Sequence, residues 1–425
     1  MRLNQLKAPN RYSMVGGPFG SKLVGRDYVA DGVPVIRGTN LPQGARFSLD
    51  DLVFVSEEKV SADLFGNLAF PGDIVVTQRG TLGQVGMIPA TCPYVKLVVS
   101  QSQMKLTVDD DKADALYVYY ALRSPHGQHE IHSRAISAGV PHINLSLFKQ
   151  ILVPVPSLAT QRKIAAILAA YDDLIENNEG RIKILEETAR RIYREWFVDF
   201  RYPGHESVPL RSSEFGPIPN GWRVQRLSEL VATQYGYTES ASLEPVGPQF
   251  LRGMDMNKSS FIDWSTVPYC PITNADRLKY ALHIGDVLVV RMADPGRAGI
   301  IERPVDAVFA SYLIRLRPVD ERLRSYSLFY FLSSDRYQNF VSGASTGTTR
   351  KSLSAPGITS IDLAVPPIGL QEKFEQQVGP LRLLLSNFLE SNSRLRTARD
   401  LLLPRLVSGE IDVKSLSIEL PEMVA

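Results

Sequence analysis

The segments FPGDIVVTQRG (Phe70–Gly80) and HIGDVLVVRMA (His283–Ala293) decide the fold of this 425-residue chain, because they are two copies of one motif. In each copy a Gly-Asp pair precedes a short β-branched run, which is typical of a buried strand that is entered through a turn. Gly72 matches Gly285 at an offset of 213 residues. A motif that recurs at so long an interval indicates duplicated domains rather than a solenoid of short repeats.

Two further pairs of segments recur in the same order. VPVIRGTNL is matched by PQFLRGMDMN, and LVPVPSLATQRKI is matched by LAVPPIGLQEKF. The offset shrinks from 215 for Arg37 and Arg252 to 210 for Gln161 and Gln371, as expected if only loops differ in length. Each half therefore predicts an α/β (α+β) domain followed by a long helix.

Composition sets the broad class of the protein. A chain of 425 residues is long enough for about two or three domains. No apolar run approaches the ~20 residues that span a bilayer, and the first residues lack the apolar core of a signal peptide. Cys92 and Cys270 have no close partner in sequence, so we expect a cytoplasmic protein with reduced thiols and no membrane contact.

Charge alone does not indicate a nucleic-acid-binding protein. Lys and Arg number 47 against 45 Asp and Glu, for a net charge of +2. Any affinity for DNA must then come from local patches or from partner subunits.

The long segments that follow the two domains carry apolar heptads. The first seam runs from Ile164 to Trp196 and the second from Phe374 to Leu406, with spacings that alternate between four and three. The simplest burial of both seams is an intramolecular antiparallel coiled coil with pseudo-twofold symmetry. In that arrangement Asn178 falls opposite Asn392, where a buried amide pair would set the register; the alternative is that each Asn faces solvent.

The second seam is less regular than the first. The pair Gly379-Pro380 predicts a kink or a fresh helix start, and Pro404 predicts a kink or a stop. The same symmetry places Arg399 opposite Tyr171, with its stem on the ring and its charge in water.

These patterns predict five segments along the chain. They are a first target-recognition domain at 1–155, a spacer helix at 156–202, a linker at 203–220, a second target-recognition domain at 221–366, and a second spacer helix with a C-terminal tail at 367–425.

Sequence motifs of catalysis are missing. There is no GxxxxGK[ST] phosphate loop, no Asn-Pro-Pro-aromatic motif and no convincing acidic cluster with a lysine that suggests a nuclease. GTLGQVG is interpreted as a turn between strands. His126, His129 and His132 are three residues apart, which suggests either a metal site or a solvated helix face, and we favour the helix face because no Cys or carboxylate has zinc spacing. We predict no catalytic residue and no metal site in this chain.

With these residues in view, the chain resembles specificity subunits of type I restriction-modification systems over nearly its whole length. The features that carry the resemblance are GGPFGSKL, VPVIRGTNL, FPGDIVVTQRG, the Gln-led helix after VPVP, and FGPIPNGWRVQRLSEL at the start of the second half. The order and duplication of these features are more specific than any one of them.

The resemblance implies that each target-recognition domain reads one half of a split site on double-stranded DNA, while the helices set the separation and dock methyltransferase subunits, two in number. Those partners would supply methyl transfer from S-adenosylmethionine to adenine, and a separate motor and endonuclease subunit would use ATP and Mg²⁺. The chain itself would hold no cofactor.

Reading bases requires donors and acceptors that reach base edges, whereas phosphate contacts position the protein. In the first repeat the candidates are Arg37, Thr39, Asn40, Gln78, Arg79, Thr81, Gln101, Ser102, Ser137, His142 and Asn144. In the second repeat they are Arg252, Asn257, Lys258, Arg291, Arg297, Ser345, Thr348, Thr349, Arg350 and Lys351.

Residues that differ between the repeats are the better candidates for base reading, because the two half-sites should differ. On this argument we favour Arg79, His142, Asn144, Arg297, Thr349 and Arg350.

Several of these interpretations have a structural competitor. Arg37 and Arg252 occupy the same repeat position, so a shared salt bridge competes with a shared phosphate contact. The aromatic runs YVYY and FYFL resemble stacking platforms, but their helical spacing favours the core. Trp196 belongs either to the seam or, with the basic residues before it, to a partner surface.

Two other functions remain open from sequence alone. One is a self-sufficient methyltransferase or nuclease with diverged motifs. The other is a scaffold whose duplicated domains bind protein rather than DNA.

Overall fold

The computed structural model describes residues 1–136, 139–256, 261–344 and 352–416. The chain divides into two compact units. Unit 1 comprises Met1–Asn177 and Asn392–Ala425, and unit 2 comprises Asn178–Ser391. Each unit contains one copy of the repeated domain and a portion of each long helix.

The domain of unit 1 is a mixed α/β structure. Its helices are α1 (Leu3–Leu6), α2 (Glu57–Lys59), α3 (Ala115–Arg123), α4 (Pro125–Ser133) and α5 (Leu145–Phe148). Its strands are β1 (Met14–Gly16), β2 (Tyr28–Val29), β3 (Val33–Ile36), β4 (Val53–Val55), β5 (Leu68–Ala69), β6 (Ile74–Thr77), β7 (Val85–Met87), β8 (Leu97–Val99) and β9 (Gln103–Leu106).

These strands form two sheets. One is antiparallel, with the order β1-β9-β6-β7, and the other has five strands in the order β2-β4-β3-β8-β5. In the second sheet β3 and β8 are parallel, so the turns that follow them emerge at the same edge. The GTLGQVG segment connects β6 to β7 in an antiparallel pair, which confirms its interpretation as a turn between strands.

Unit 2 repeats part of this topology. Its strands are β10 (Leu210–Arg211), β11 (Ile218–Pro219), β12 (Arg223–Arg226), β13 (Val231–Tyr235), β14 (Gln249–Leu251), β15 (Val287–Val290), β16 (Ala298–Ile300), β17 (Ala307–Phe309), β18 (Leu313–Pro318) and β19 (Asp362–Val365). Its short helices are α7 (Asn274–Tyr280), α8 (Ser325–Leu332), α9 (Asp335–Ala344) and α10 (Ala355–Thr359). The order β13-β18-β15-β16 matches the antiparallel sheet of unit 1, and β14 is parallel to β17 as β3 is to β8.

The aromatic helices α3 and α8 lie in the cores of their domains. All residues from Tyr117 to Leu122 are buried, and so are all residues from Ser327 to Leu332. The core interpretation of the aromatic runs is therefore confirmed, and the stacking platform is not.

The two long helices are α6 (Leu158–Tyr193), which continues as a π-helical turn through Val198, and α11 (Ile368–Val407). Within unit 1 the facing parts run antiparallel, because Asn392 Nδ2 donates to the carbonyl of Ile175 at 3.3 Å and Arg399 pairs with Asp172. Within unit 2 the rings of Tyr193 and Phe374 lie 5.9 Å apart. Further along the same helices, Arg181 lies 5.5 Å from the Phe388 ring, so these parts are antiparallel as well.

The predicted apolar seam is largely buried. Asn178 is 8% exposed and Asn392 is 1% exposed, so the alternative in which each Asn faces solvent is wrong. The two residues belong to different units, and their mutual pairing stays a prediction.

Two predictions for α11 are wrong, the fresh helix start at Gly379-Pro380 and the solvated charge of Arg399. The helix is continuous through Gly379 and Pro380, with no fresh start, because Val378 and Leu385 on either side are packed at 0% and 1% exposure and hold the backbone helical. Arg399 does not keep its charge in water: it is 3% exposed and bound to Asp172, one residue beyond the predicted Tyr171. Pro404 lies three residues before the end of the helix at Val407, near the predicted stop.

The residues after α11 are held against the start of α6. Lys163 Nζ donates to the carbonyl oxygens of Lys414 at 2.8 Å and Leu416 at 2.7 Å, with Val413 at 3.4 Å. Val413 is buried in the core of unit 1. Across the residues that the structure describes, no helix is long and apolar enough to cross a membrane.

Candidate nucleic-acid interface

One edge of the unit 1 domain collects most of the sequence candidates. The turn at Arg37 follows β3, the turn at Gln101 follows the parallel strand β8, and the turn at Gln78 follows β6. Because β6 and β9 are antiparallel, the end of β6 lies beside the start of β9 at Gln103. We call this set of turns the first edge: residues 37–40, 78–84, 100–102 and 139–144.

Gln78 connects the turns of the first edge. Its backbone N–H donates to Ser102 at 2.8 Å, its carbonyl accepts from Ile143 at 2.9 Å, and its side-chain amide donates to the Gln101 carbonyl at 2.6 Å. The Gln101 side chain in turn donates to the carbonyls of Gly20 and Leu23. Gln78 and Gln101 therefore use part of their hydrogen-bonding capacity to hold the loops together.

A short ladder carries Arg79 and His142 to the surface. His142 pairs with both Arg79 and Ile136 through isolated antiparallel bridges. Arg79 is exposed and His142 is half-buried, and Thr81 and Asn144 nearby are exposed. Asn144 also caps α5 by accepting from the Leu147 N–H at 2.9 Å.

Asn40 is a correction. It is fully buried, and its amide donates to the carbonyls of Ser48 at 3.1 Å and Asp50 at 3.0 Å while its oxygen accepts from the Arg37 N–H. This side chain holds its own loop and cannot reach a base edge. Thr39, its neighbour, is exposed.

The repeated arginines have a structural role in both units. Arg37 Nη2 donates to the carbonyl of Asp51, and Arg252 forms a two-pronged ion pair with Asp255 at 2.8 and 2.9 Å. The hydrogen bond that Arg252 donates to the Asp255 carboxylate raises the pKa of Arg252. Of the two sequence interpretations, the salt bridge is present in the second repeat, and a carbonyl replaces the carboxylate in the first.

Unit 2 builds the same edge around Arg291. Its N–H donates to Tyr312 at 2.9 Å and its carbonyl accepts from Leu353 at 2.9 Å, as Gln78 does with Ser102 and Ile143. Its guanidinium carbon lies 5.0 Å from the centre of the Tyr235 ring. We call this set the second edge: residues 235–237, 252–256, 291–297, 310–312 and 352–353.

Arg297 matches Gln84 of the first repeat in position and in role. Arg297 Nη1 donates to the Met256 carbonyl at 2.8 Å and Nη2 pairs with Asp294, while Gln84 Nε2 donates to the carbonyls of Leu41 and Gly38. Arg297 thus holds the β15–β16 hairpin against the turn that contains Arg252 and Gly253. Because its guanidinium is used in this way, Arg297 is a weaker candidate for base reading than the sequence difference from Gln84 indicated.

Several candidates lie outside the described residues. They are Ser137, Asn257, Lys258, Ser345, Thr348, Thr349, Arg350 and Lys351. After residues 345–351 the second edge is described again from Ser352, which bridges to Met292.

The histidines His126, His129 and His132 all lie on α4 with exposed side chains. Within the described ranges no group of three or more His, Cys, Asp or Glu residues is arranged to hold a metal ion.

Comparison with known proteins identifies similar chains. Residues 32–187 match the family model of the type I restriction modification DNA specificity domain. The chain is 26% identical over 362 residues to the type I restriction enzyme MjaIX specificity subunit of Methanocaldococcus jannaschii, covering 82% of this chain and 79% of that protein. It is 25% identical over 329 residues to the MjaVIII specificity subunit of the same organism, covering 76% of each.

The fold is also shared with a solved structure. The type I restriction-modification S subunit from M. genitalium superposes with a TM-score of 0.54 at 17% identity, covering 96% of this chain and 95% of that one. The chain is therefore similar in sequence to type I specificity subunits, and it shares the fold of one of them.

Exposed aromatic residues in and beside the two edges were not among the candidates from the sequence. Phe19 is 82% exposed beside Gly20, Tyr312 is 55% exposed and Tyr235 is 42% exposed. The sequence signal that could have indicated them is a glycine directly after a strand: Gly17 follows β1 and Gly236 follows β13. A Cβ at Gly17 would lie 2.0 Å from the Ser100 carbonyl and one at Gly236 would lie 2.2 Å from that of Ala310, so each glycine marks a close crossing at an edge.

Proposed function

We propose that this chain is the DNA-recognition subunit of a type I restriction-modification complex and that each edge reads one half of a split site. The observation that carries the proposal is that one scaffold of turns is built twice with different side chains. Gln78 is replaced by Arg291, and Ser102 by Tyr312, at matching backbone hydrogen bonds.

This pattern suits sequence readout. Amide and guanidinium groups on turns can reach base edges in a major groove, where each base pair presents its own donors and acceptors. A rigid backbone with exchangeable side chains lets each domain read its own short sequence. A protein that contacted only phosphates would not need the two edges to differ.

The rest of the activity belongs to partners in this proposal. Methyltransferase subunits, two in number, supply methyl transfer from S-adenosylmethionine, and a motor and endonuclease subunit uses ATP and Mg²⁺, all in the cytoplasm. The names of the relatives and the long paired helices support this assignment. This chain contributes recognition and docking, without a catalytic residue of its own.

The test is a single-molecule methylome of the source cells with the gene intact, deleted and restored on a plasmid. We expect adenine methylation at one split motif to disappear on deletion and to return on restoration. Methylation that persists at every motif after deletion would contradict the proposal. A restored copy with Arg79→Ala should return methylation at a lower level or at a site relaxed in only one half.

A chain with its own activity predicts a different result. The purified chain alone would bind S-adenosylmethionine in stoichiometric amounts and methylate DNA, and either observation would overturn the non-catalytic assignment.

A further inference from the structure

The second edge contains three arginines, Arg252, Arg291 and Arg297, and their guanidinium groups are used differently. Arg252 and Arg297 hold their own loops through hydrogen bonds and ion pairs. Arg291 is half-buried, and its Nε donates to the Leu353 carbonyl at 3.4 Å. Within the part of the chain that the structure describes, the two Nη atoms of Arg291 have no hydrogen-bond partner. Arg291 therefore has terminal donors that are available to a ligand.

The ring of Tyr235 restrains the guanidinium of Arg291. The guanidinium carbon lies over the ring, 5.0 Å from its centre. The ring is itself held at two points, because the Tyr235 backbone lies opposite Ile314 of β18 and its hydroxyl accepts from the Ala355 N–H at 2.9 Å, at the start of α10. Attraction between a cation and the face of a ring orients a guanidinium without a carboxylate partner. Tyr235 can therefore orient Arg291 and leave its terminal donors for another group.

The first edge does not have this pair of side chains. Gly16 and Tyr235 end the matching strands β1 and β13, and Gln78 stands at the position of Arg291. A Cβ at Gly16 would lie 3.5 Å from Gln78 Oε1, so the two positions are neighbours in the first repeat as they are in the second. The pair changes as a unit, from glycine with glutamine to tyrosine with arginine.

This paired difference favours a base over a phosphate as the partner of Arg291. Phosphates are the same in every half-site, so a phosphate contact gives no reason for the two edges to differ at this pair of positions. Guanine is the base that presents two acceptors to the major groove, at O6 and N7. The N–H donors of a guanidinium form a fork that fits two adjacent acceptors. A fork that is already oriented loses little conformational freedom on binding.

We infer that Arg291, oriented by Tyr235, reads one guanine in the half-site that the second edge recognises. The inference rests on the proposed function and narrows it to one base and to the acceptors O6 and N7 in the major groove. Arg291 makes the contact, and Tyr235 is a positioning residue that acts through Arg291.

The test uses the full chain in complex with its partner subunits and duplexes that carry the methylated motif of the source cells. Each guanine is replaced in turn by 7-deazaguanine, which pairs with cytosine but lacks the N7 acceptor. We expect one guanine, in the half-site that Arg291→Ala relaxes, at which this replacement weakens binding roughly tenfold. In complexes with Arg291→Ala or Arg291→Met, the same replacement should change binding by less than about twofold, because the donors that contact N7 are absent.

Tyr235→Leu tests the positioning role separately from stability. Loss of the ring should reduce the affinity ratio of guanine to 7-deazaguanine at that one position by roughly threefold, whereas a purely structural defect would weaken both duplexes equally. Tyr235→Phe keeps the ring and should keep most of the ratio.

The matched control is Arg277→Ala. Arg277 pairs with Asp306 directly before β17, whereas residues 310–312 of the second edge follow that strand. This substitution removes one positive charge from the same domain, and the affinity ratio should stay unchanged.

The inference is overturned if Arg291→Ala relaxes no half-site, if the relaxed half-site has no guanine, or if the effect of N7 survives the loss of Arg291. An equal loss of binding to both duplexes with Tyr235→Leu would overturn the positioning role. Failure of the proposed function gives a different result, because methylation would then persist at every motif after deletion of the gene.

Discussion

Arg79 and Gln78 are neighbours in one turn of the first edge, but their side chains have different tasks. Gln78 donates its amide to the Gln101 carbonyl and holds the loops together. Arg79 pairs with His142 through the backbone only, and its guanidinium extends into solvent. A residue whose backbone is fixed while its side chain is exposed suits base contact, since little conformational freedom is left to lose.

We expect Arg79→Ala to weaken binding to the cognate site by about 1–3 kcal/mol, the range for loss of a good contact to a base. The effect should fall on one half-site, measured as a gel-shift or methylation rate on DNA with single substitutions.

The matched control is Lys96→Ala. Lys96 pairs with Glu57 and lies at the opposite end of β8 from Gln101. The substitution therefore removes one positive charge from the same domain, as Arg79→Ala does, but away from the first edge. Equal losses from the two substitutions would mean that net charge, rather than the edge, governs binding.

Two buried glutamines fasten the domains to the starts of the long helices. Gln161 accepts from the Asp114 N–H at 2.9 Å and donates to the Pro156 carbonyl at 2.8 Å. Gln371 accepts from Arg324 and donates to Arg322 and Pro366, each at 2.9 Å. Both side chains are 0% exposed.

Replacing Gln161 or Gln371 by leucine should cost about 1–3 kcal/mol of unfolding free energy, because backbone groups that the amide satisfied are left buried without partners. Urea denaturation of each variant measures this. Gln150→Leu, at an exposed position beyond α5, should change stability by less than about 0.5 kcal/mol.

The same residues show what the sequence could and could not predict at this scale. Asn40 has the right chemistry for reading adenine, but the carbonyls that bind it lie at Ser48 and Asp50, in a loop whose path no local pattern reveals. The position of Arg297 differs between the repeats, as expected of a residue that reads bases, but its guanidinium donates to the Met256 carbonyl and holds the loop in place. Local chemistry could not separate side chains that face solvent from side chains that are buried in their own loops.

At the scale of elements, hydrophobic periodicity predicted α6 and α11 well because their seams are continuous. Periodicity continues through Gly379-Pro380, where the predicted fresh start is wrong because a single-residue preference against helix is weaker than the packing of Val378 and Leu385. Periodicity misjudged Arg399, since a heptad wheel places a residue in the seam but does not show that an acid on the facing helix will neutralise it.

Glycines inside the helices provide a direct test of how helix propensity and side-chain packing contribute to stability. A Cβ built at Gly379 of α11 or at Gly180 of α6 meets no atom within 4 Å. Gly379→Ala and Gly180→Ala should each raise the unfolding free energy by about 0.5–1 kcal/mol, because alanine loses less backbone entropy in a helix.

Gly127→Ala in α4 is the contrasting variant. Its Cβ would lie 2.2 Å from the Ala121 carbonyl, so the same substitution should destabilise the protein. A gain in stability at Gly127, or a loss at both Gly180 and Gly379, would show that the helix packing differs from that described.

On the scale of the whole molecule, the duplication predicts that the two half-sites are read independently. The first and second edges belong to different units. Effects at distant sites that share no partners usually add to within about 0.5 kcal/mol.

We therefore expect Arg79→Ala to relax one half of the split motif and Arg291→Ala to relax the other, with the double variant showing the sum. Binding to DNA in which one half-site at a time is altered measures each effect. Loss of discrimination in both halves from a single substitution would contradict independent reading.

The repeat was the strongest information in the sequence at this scale, because each copy confirms the element order of the other. It predicted the two domains and the long helices after them. It could not predict the opposite charges at Asp172 and Arg382, because a repeat alignment shows that two residues correspond but not which groups from the domain they meet.

The clasp of Lys163 on the carbonyls of Lys414 and Leu416 bears on how the protein can be labelled for microscopy. An amine-reactive dye that acylated Lys163 would remove its charge and leave one N–H to serve several acceptors, so residues 411–416 would detach from the start of α6. Thiol chemistry avoids this, because burial raises the pKa of the Cys270 thiol to about 11 and keeps it unreactive, while Cys92 is partly exposed. A maleimide fluorophore should therefore attach at Cys92 alone, in the first domain, and leave the hydrogen bonds of Lys163 to Lys414 and Leu416 intact.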